Sequence, residues 1–161
     1  MVVDFTIRRS PGFKLATMTL RGSWPGDRAI RSEFEKLLEW TKAKGLKTGK
    51  WVFRELDDQD VPEEKKRWEV GIEVLGKGPF RGGKGVSFKT LPPSTVASVT
   101  FDPEAVAARV IYHGLSDWLS WREKYKEYRT EGLFREVYQG NPWTSKTAWA
   151  RTTVQVPVRK L

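Results

Sequence analysis

The sequence predicts an α+β domain made of two copies of one strand–helix–strand–strand unit, with antiparallel sheet and both helices on one of its faces. Three observations lead there. The 161-residue chain matches itself at an offset of 81: Ala16-Thr17-Met18-Thr19-Leu20 aligns with Ala97-Ser98-Val99-Thr100-Phe101, Leu37-Leu38-Glu39-Trp40 with Trp118-Leu119-Ser120-Trp121, and Phe53-Arg54-Glu55-Leu56 with Phe134-Arg135-Glu136-Val137. Pro11/Pro92 and Trp68/Trp149 obey the same offset. The matched blocks carry large apolar residues in the same periodic contexts, and a glycine-rich stretch, Gly76 to Gly85, separates them. A period this long marks a duplicated subdomain rather than a solenoid. The expected organisation is one domain, 1–161, with repeat 1 at 1–75, the linker at 76–85 and repeat 2 at 86–161. Duplication predicts a pseudo-twofold axis and makes the seam between like halves a natural place for a pocket.

Each element has a local reason. Residues 3–9 and 14–21 alternate apolar and polar, as half-buried strands do. Gly22-Ser23-Trp24-Pro25-Gly26-Asp27 reads as a turn, with Asp27 placed to cap a helix. From Arg28 the residues Ile30, Phe34, Leu37, Leu38 and Thr41 form a helical stripe that Gly45 ends. Residues 50–56 read as a strand with Trp51, Phe53 and Glu55 on one side and Val52, Arg54 and Leu56 on the other. The acidic loop Asp57-Asp58-Gln59-Asp60 leads to a strand at 67–75. In repeat 2, Val86–Phe88 and Thr95–Phe101 are strands. Val106 to Tyr128 is a helix with Val106, Val110, Leu115, Trp118 and Leu119 inward. Residues 132–138 and 150–158 are the closing strands, the latter with Val154, Val156 and Val158 at period two. Trp40 and Trp121, in the helical stripes, read as core or helix-anchoring residues.

Composition excludes several chemistries. There is no cysteine, so no disulfide or thiolate, and a single histidine, His113, which rules out a histidine-cluster metal site. No apolar run approaches a membrane span, and Met1 to Arg9 lacks a signal-peptide core, so a cytoplasmic location is expected. The net charge of +9 admits a nucleic-acid surface. Its lysines and arginines, however, are scattered and mostly alternate with glutamates, as on a solvated face. The glycines of 76–85 lack phosphate-loop spacing, no Gly-x-Ser-x-Gly elbow exists, and residues 57–60 are too few for a calcium loop. No metal and no cofactor are expected.

Three stretches carry a family resemblance. Leu20-Arg21-Gly22-Ser23-Trp24 with Phe34-Glu35-Lys36-Leu37-Leu38-Glu39-Trp40, then Asp57-Asp58, Pro62 and Arg67-Trp68-Glu69-Val70-Gly71-Ile72, resemble the first half of the GyrI-like small-molecule-binding family. Glu136-Val137-Tyr138-Gln139-Gly140-Asn141-Pro142 and Thr152-Thr153-Val154-Gln155-Val156-Pro157-Val158 are similar to its second half. The resemblance implies two strand–helix–strand–strand units around a ligand groove on the sheet face opposite the helices, in a stand-alone member without a DNA-reading domain. It implies small-molecule binding, of aromatic and cationic or DNA-alkylating compounds, through aromatic walls and a glutamate. A carboxylate among aromatic faces can pair with a cation or work as an acid and base.

By strand parity Glu136 shares a face with Phe134 and Tyr138, which makes these three the leading ligand-binding residues. Trp51, Phe53, Trp68, Trp149 and Tyr112 are the further candidates for ligand contact. If the protein is an enzyme, a hydrolase that opens a cyclopropane-bearing electrophile, Glu136 is the expected acid/base, with Glu55 or Glu69 assisting. The competing readings are a strand carboxylate paired with a neighbouring Lys or Arg for Glu136, a strand-edge salt bridge for Glu69, and a tether of the last strand for Trp149. A third function, interaction with gyrase or nucleic acid through the basic surface, stays open. One departure bears on catalysis: the family's last strand often has an acid just before its alternating apolar positions, and here that place holds Thr153.

Overall fold

The computed structural model describes residues 3–161, so the first two residues of the Met1–Arg9 stretch lie outside the described residues. In chain order the elements are β1 (Thr6–Ser10), β2 (Phe13–Arg21), α1 (Gly26–Ala43), β3 (Thr48–Glu55), a 3-10 turn (Glu63–Lys65), β4 (Arg67–Val74), β5 (Ser87–Leu91), β6 (Ser94–Phe101), α2 (Ala108–Lys124), β7 (Tyr128–Thr130), β8 (Arg135–Tyr138), α3 (Lys146–Ala150) and β9 (Thr152–Lys160). The strand pairings are antiparallel. The α+β class and the doubled strand–helix–strand–strand order are as the sequence predicts.

Two compact units divide the chain, and they do not follow the repeat boundaries. The continuous unit is Gly12–Pro92; the split unit joins Met1–Pro11 to Pro93–Leu161. The cause is strand exchange between repeats. β1 belongs to repeat 1 by sequence but pairs with β6, while β5, its counterpart in repeat 2, pairs with β2. Only two residues, Pro11 and Gly12, lie between β1 and β2, and Pro92 and Pro93 lie between β5 and β6. Proline cannot donate to a ladder, and each short connection carries the chain into the other ladder.

In the continuous unit the strand order is β3-β4-β2-β5. Helix α1 buries Ile30, Phe34, Leu37 and Thr41, a stripe at helical spacing. Phe34 stacks on Trp51 of β3, with centroids 4.8 Å apart and planes 18° apart. Gly45, at φ +68°, takes the left-handed conformation that ends the helix, and its N–H and that of Leu46 satisfy the Lys42 and Thr41 carbonyls. Asp27 does not cap α1: Pro25 holds the cap position without a side-chain bond, and Asp27 lies inside the first turn. A negative charge there still meets the positive end of the helix dipole.

In the split unit the order is β1-β6-β9-β8, with β7 also pairing with β9. Ile111, Leu115 and Leu119 of α2 pack with Ala97, Val99, Phe101, Val154, Val156 and Val158. Two helix assignments change. Val110 points outward, at 55% exposure, and Ile111 takes the inward place; Ile111 is the repeat mate of Ile30, also buried. Trp121 is 55% exposed rather than core, stacked on Tyr125, and Trp40 is half-buried. Helix α2 stops at Lys124, and Tyr128, expected at its end, opens β7.

Four ion pairs lie at the surface: Arg31–Glu35, Lys36–Glu33, Arg122–Glu127 and Arg129–Glu123. Each such pair contributes little to stability. Among the described residues, no helix is long and apolar enough to cross a membrane.

Candidate functional site

Strand pairing settles which side chains share a face, because residues directly opposite each other in a ladder project to the same side. In the split unit Glu136 pairs with Val154, which belongs to the cluster under α2. Phe134, Glu136 and Tyr138 therefore lie on the helix-bearing face. In the continuous unit Trp51, Phe53 and Glu55 share the face that α1 covers, as the Trp51–Phe34 stack shows. The expectation that these carboxylates face away from the helices is corrected: both lie on the helix side.

Glu136 is the centre of the split unit's polar cluster. Its Oε1 accepts a hydrogen bond from the Tyr112 hydroxyl at 2.7 Å, and its Oε2 accepts one from the Tyr138 hydroxyl. Tyr112 comes from the N-terminal part of α2 and Tyr138 from the strand of Glu136 itself, so the contact ties helix to sheet. Phe134 meets the Tyr112 ring edge-on at 5.4 Å. The carboxylate is half-buried, and among the described residues no Lys or Arg pairs with it. The structure thus brings Glu136, Phe134, Tyr138 and Tyr112 together, all four from the sequence reading. The carboxylate keeps acceptor capacity beyond the two hydroxyls.

Glu55 has a different setting. It pairs with Trp68 across β3 and β4. Phe53 and Trp68 lie parallel, centroids 6.1 Å apart, and Trp24 stands edge-on to both at 5.8 and 5.3 Å. Trp68 is fixed by its indole N–H, which donates to the Gly22 carbonyl at 2.9 Å. Trp24, 57% exposed, was not among the sequence candidates. Its signal was a tryptophan inside an otherwise polar turn, Gly22 to Asp27.

Burial raises the Glu55 carboxyl above the usual glutamate range, and the charge of Lys66 opposes this in part. The unfolded chain then loses this proton first, so the native state holds more protons between the two pKa values. Stability contributed by this group falls as pH rises through that window. Glu55→Gln is expected to melt with the parent at about pH 3.5, where both states are protonated, and above it at about pH 7. Equal melting temperatures at both values would remove the burial effect.

Glu69 is held between two basic side chains. It is 1% exposed, takes a hydrogen bond from Arg54 Nε at 2.7 Å, and pairs with Lys89. It lies on the face opposite α1, since it is directly across from Arg54 and Thr19.

The repeat offset drifts after the helix. Leu20 pairs with Trp68, and its mate Phe101 pairs with Thr152, so β4 and β9 correspond at 84 rather than 81. The counterpart of Trp68 is therefore Thr152, and that of Glu69 is Thr153, whose hydroxyl meets Thr100 at 2.8 Å. Trp149 lies outside the strand, on α3, with its indole N–H on Glu104 Oε1 at 3.0 Å; it is not placed with Glu136 by any contact shown. Arg54 pairs with Glu69 and Val137 with Thr153, an offset of 83. Glu55 thus corresponds in register to Tyr138, and Glu136 to Phe53: the two carboxylates are not equivalent.

A family model described as the GyrI-like small molecule binding domain matches residues 4–159. The fold is similar to that of the EcmrR C-terminal domain, with a TM-score of 0.71 at 20% identity over 100% of both chains. In an EcmrR–DNA complex the same likeness covers 99% of this chain but 58% of the other, with a TM-score of 0.65 at 20% identity. A hydrolase from Listeria innocua scores 0.57 at 11% identity, over 95% of this chain and 91% of that one. SAV2435 bound to tetraphenylphosphonium scores 0.55 at 12% identity, over 97% and 94%. At these identities the likeness shows the fold alone. No curated protein sequence matches the chain significantly. The family model spans nearly the whole chain, from before β1 to residue 159 near the end of β9, and the chain belongs to the GyrI-like small-molecule-binding domain family.

Proposed function

We propose that the protein binds an aromatic cation and that Glu136 is its counter-ion. The observation that carries this reading is a half-buried carboxylate held by two tyrosine hydroxyls, with no basic side chain among the described residues to neutralise it. A charge removed from water without a partner is costly. A ligand cation would supply that partner, and the faces of Tyr112, Phe134 and Tyr138 would attract it further. The hydroxyls orient the carboxylate in advance, which lowers the ordering cost of binding. SAV2435, which shares the fold, is seen with tetraphenylphosphonium, an aromatic cation of the same class.

The test is titration with tetraphenylphosphonium, with a planar cation such as ethidium, and with neutral triphenylphosphine oxide. The cations are expected to raise the melting temperature, as any ligand selective for the native state must, and to do so more than the neutral compound. Glu136→Gln keeps the shape and removes the charge. It is expected to weaken cation binding by about 1–3 kcal/mol, the scale of a charge-assisted contact, and to leave the neutral compound unaffected. Equal affinity for charged and neutral probes would end the reading.

The Tyr–Glu contacts also support a second reading, hydrolysis of a cyclopropane-bearing electrophile. A tyrosine O–H held on a carboxylate is positioned to share proton transfer with it. In that case Glu136→Gln abolishes turnover while ligands still bind.

A further inference from the structure

The continuous unit has a pocket on its own surface, of about 290 Å³, between the end of α1, the Gly76–Gly85 connection and β5. Three rings wall it. Phe80 stacks on Phe88, centroids 5.4 Å apart and planes 19° apart, and Trp40 meets Phe88 at 5.8 Å. Lys44 and Arg81 line it, and no Asp or Glu does. Lys44 Nζ lies 5.7 Å from the Trp40 ring centroid. Among the described residues neither Lys44 nor Arg81 makes an ion pair or a side-chain hydrogen bond, whereas Arg31, Lys36, Arg54, Arg67, Lys89, Arg122 and Arg129 all do.

The connection that supplies Phe80 and Arg81 is built rather than slack. Gly83 and Val86 exchange both backbone hydrogen bonds at 3.0 Å. A Cβ on Gly82 would sit 2.3 Å from the Val86 carbonyl oxygen, so only glycine permits this approach. The wall is therefore in place before anything binds.

We infer that this pocket is a binding site for a small planar aromatic anion, a carboxylate of one or two fused rings. The rings offer flat faces for stacking. The Arg81 fork matches a carboxylate, and Lys44 adds a second positive charge. The C-terminal end of α1 contributes about half a negative charge, but its Thr41 and Lys42 carbonyls are already taken by backbone N–H groups, and two full cations exceed it. An aromatic cation is repelled here, and a neutral ring leaves both cations unpaired. The volume stands just below the usual range for ligand pockets, about 300–1,000 Å³, so the ligand is small. The site shares no residue with the Glu136 cluster and takes the opposite charge, so the two proposals stand or fall separately.

The test is calorimetric titration of the whole chain with naphthoate, naphthylmethanol and naphthylmethylammonium. Naphthoate is expected to bind at least about tenfold more tightly than the alcohol, the worth of one charge-assisted hydrogen bond, and the ammonium compound, whatever it does at Glu136, should leave the Trp40 indole resonance in place. The double substitution Lys44→Gln, Arg81→Gln, at two exposed side chains, should bring naphthoate down to the alcohol. Phe80→Ala should weaken both by a similar factor. In NMR spectra the Trp40 indole N–H, identified by its loss in Trp40→Phe, should shift with naphthoate. The proposal is overturned if naphthoate binds no better than the alcohol, if the double variant binds it unchanged, or if the Trp40 indole resonance stays still at saturation.

Discussion

Phe34→Ala is expected to lower stability by about 3–5 kcal/mol, the usual cost of deleting a buried phenylalanine. Phe34 is fully buried and is the ring through which α1 grips the sheet, stacked on Trp51 at 4.8 Å. Deletion removes apolar burial and also the stacking contact, and it opens a cavity between a helix and a strand that the backbone holds apart. Phe34→Leu keeps most of the volume and should cost less than half as much. Urea unfolding followed by tryptophan fluorescence measures both. A loss below about 1 kcal/mol would mean that the helix is anchored elsewhere.

Glu69→Gln is expected to cost about 2–4 kcal/mol in stability while leaving cation affinity unchanged. Breaking a fully buried ion pair costs roughly 3–5 kcal/mol, because the remaining charge is stranded. Here the stranded partners, Arg54 and Lys89, have side chains 22% and 40% exposed, so water relieves part of the penalty. The glutamine still accepts one hydrogen bond. The same denaturation experiment gives the stability, and tetraphenylphosphonium titration of the variant gives the affinity. A stable variant with weakened binding would reverse the roles of Glu69 and Glu136.

The sequence was informative where its period was. The 81-residue repeat held for β1, β2 and the helices, because apolar stripes and strand alternation mark those elements directly. It failed for the later strands. Insertions totalling three residues entered through the connections around β8, where no apolar pattern records them, and Trp149 was matched to Trp68 as a result. For Glu69 a strand-edge salt bridge and a role in the site stayed open, and only the structure shows its two partners, Arg54 on β3 and Lys89 on β5. Trp24 and Tyr112 show the same limit: one sits in a turn and the other on a helix, and neither position says which strand it will meet.

The sequence by itself determined the α+β class, the doubled order of elements, and the grouping of Phe134, Glu136 and Tyr138 on one side of a strand. All of these follow from local periodicity, which the backbone imposes at fixed spacing. Tertiary structure alone decided which side that was. Period two says that alternate residues point together, but the helix that covers a face is chosen by contacts far apart in the chain, such as Phe34 on Trp51 and Tyr112 on Glu136. The exchange of β1 and β5 between repeats, and the pocket that Trp40, Phe80 and Phe88 enclose, belong to the same category. They depend on where the chain returns, and a local pattern of residues carries no record of that.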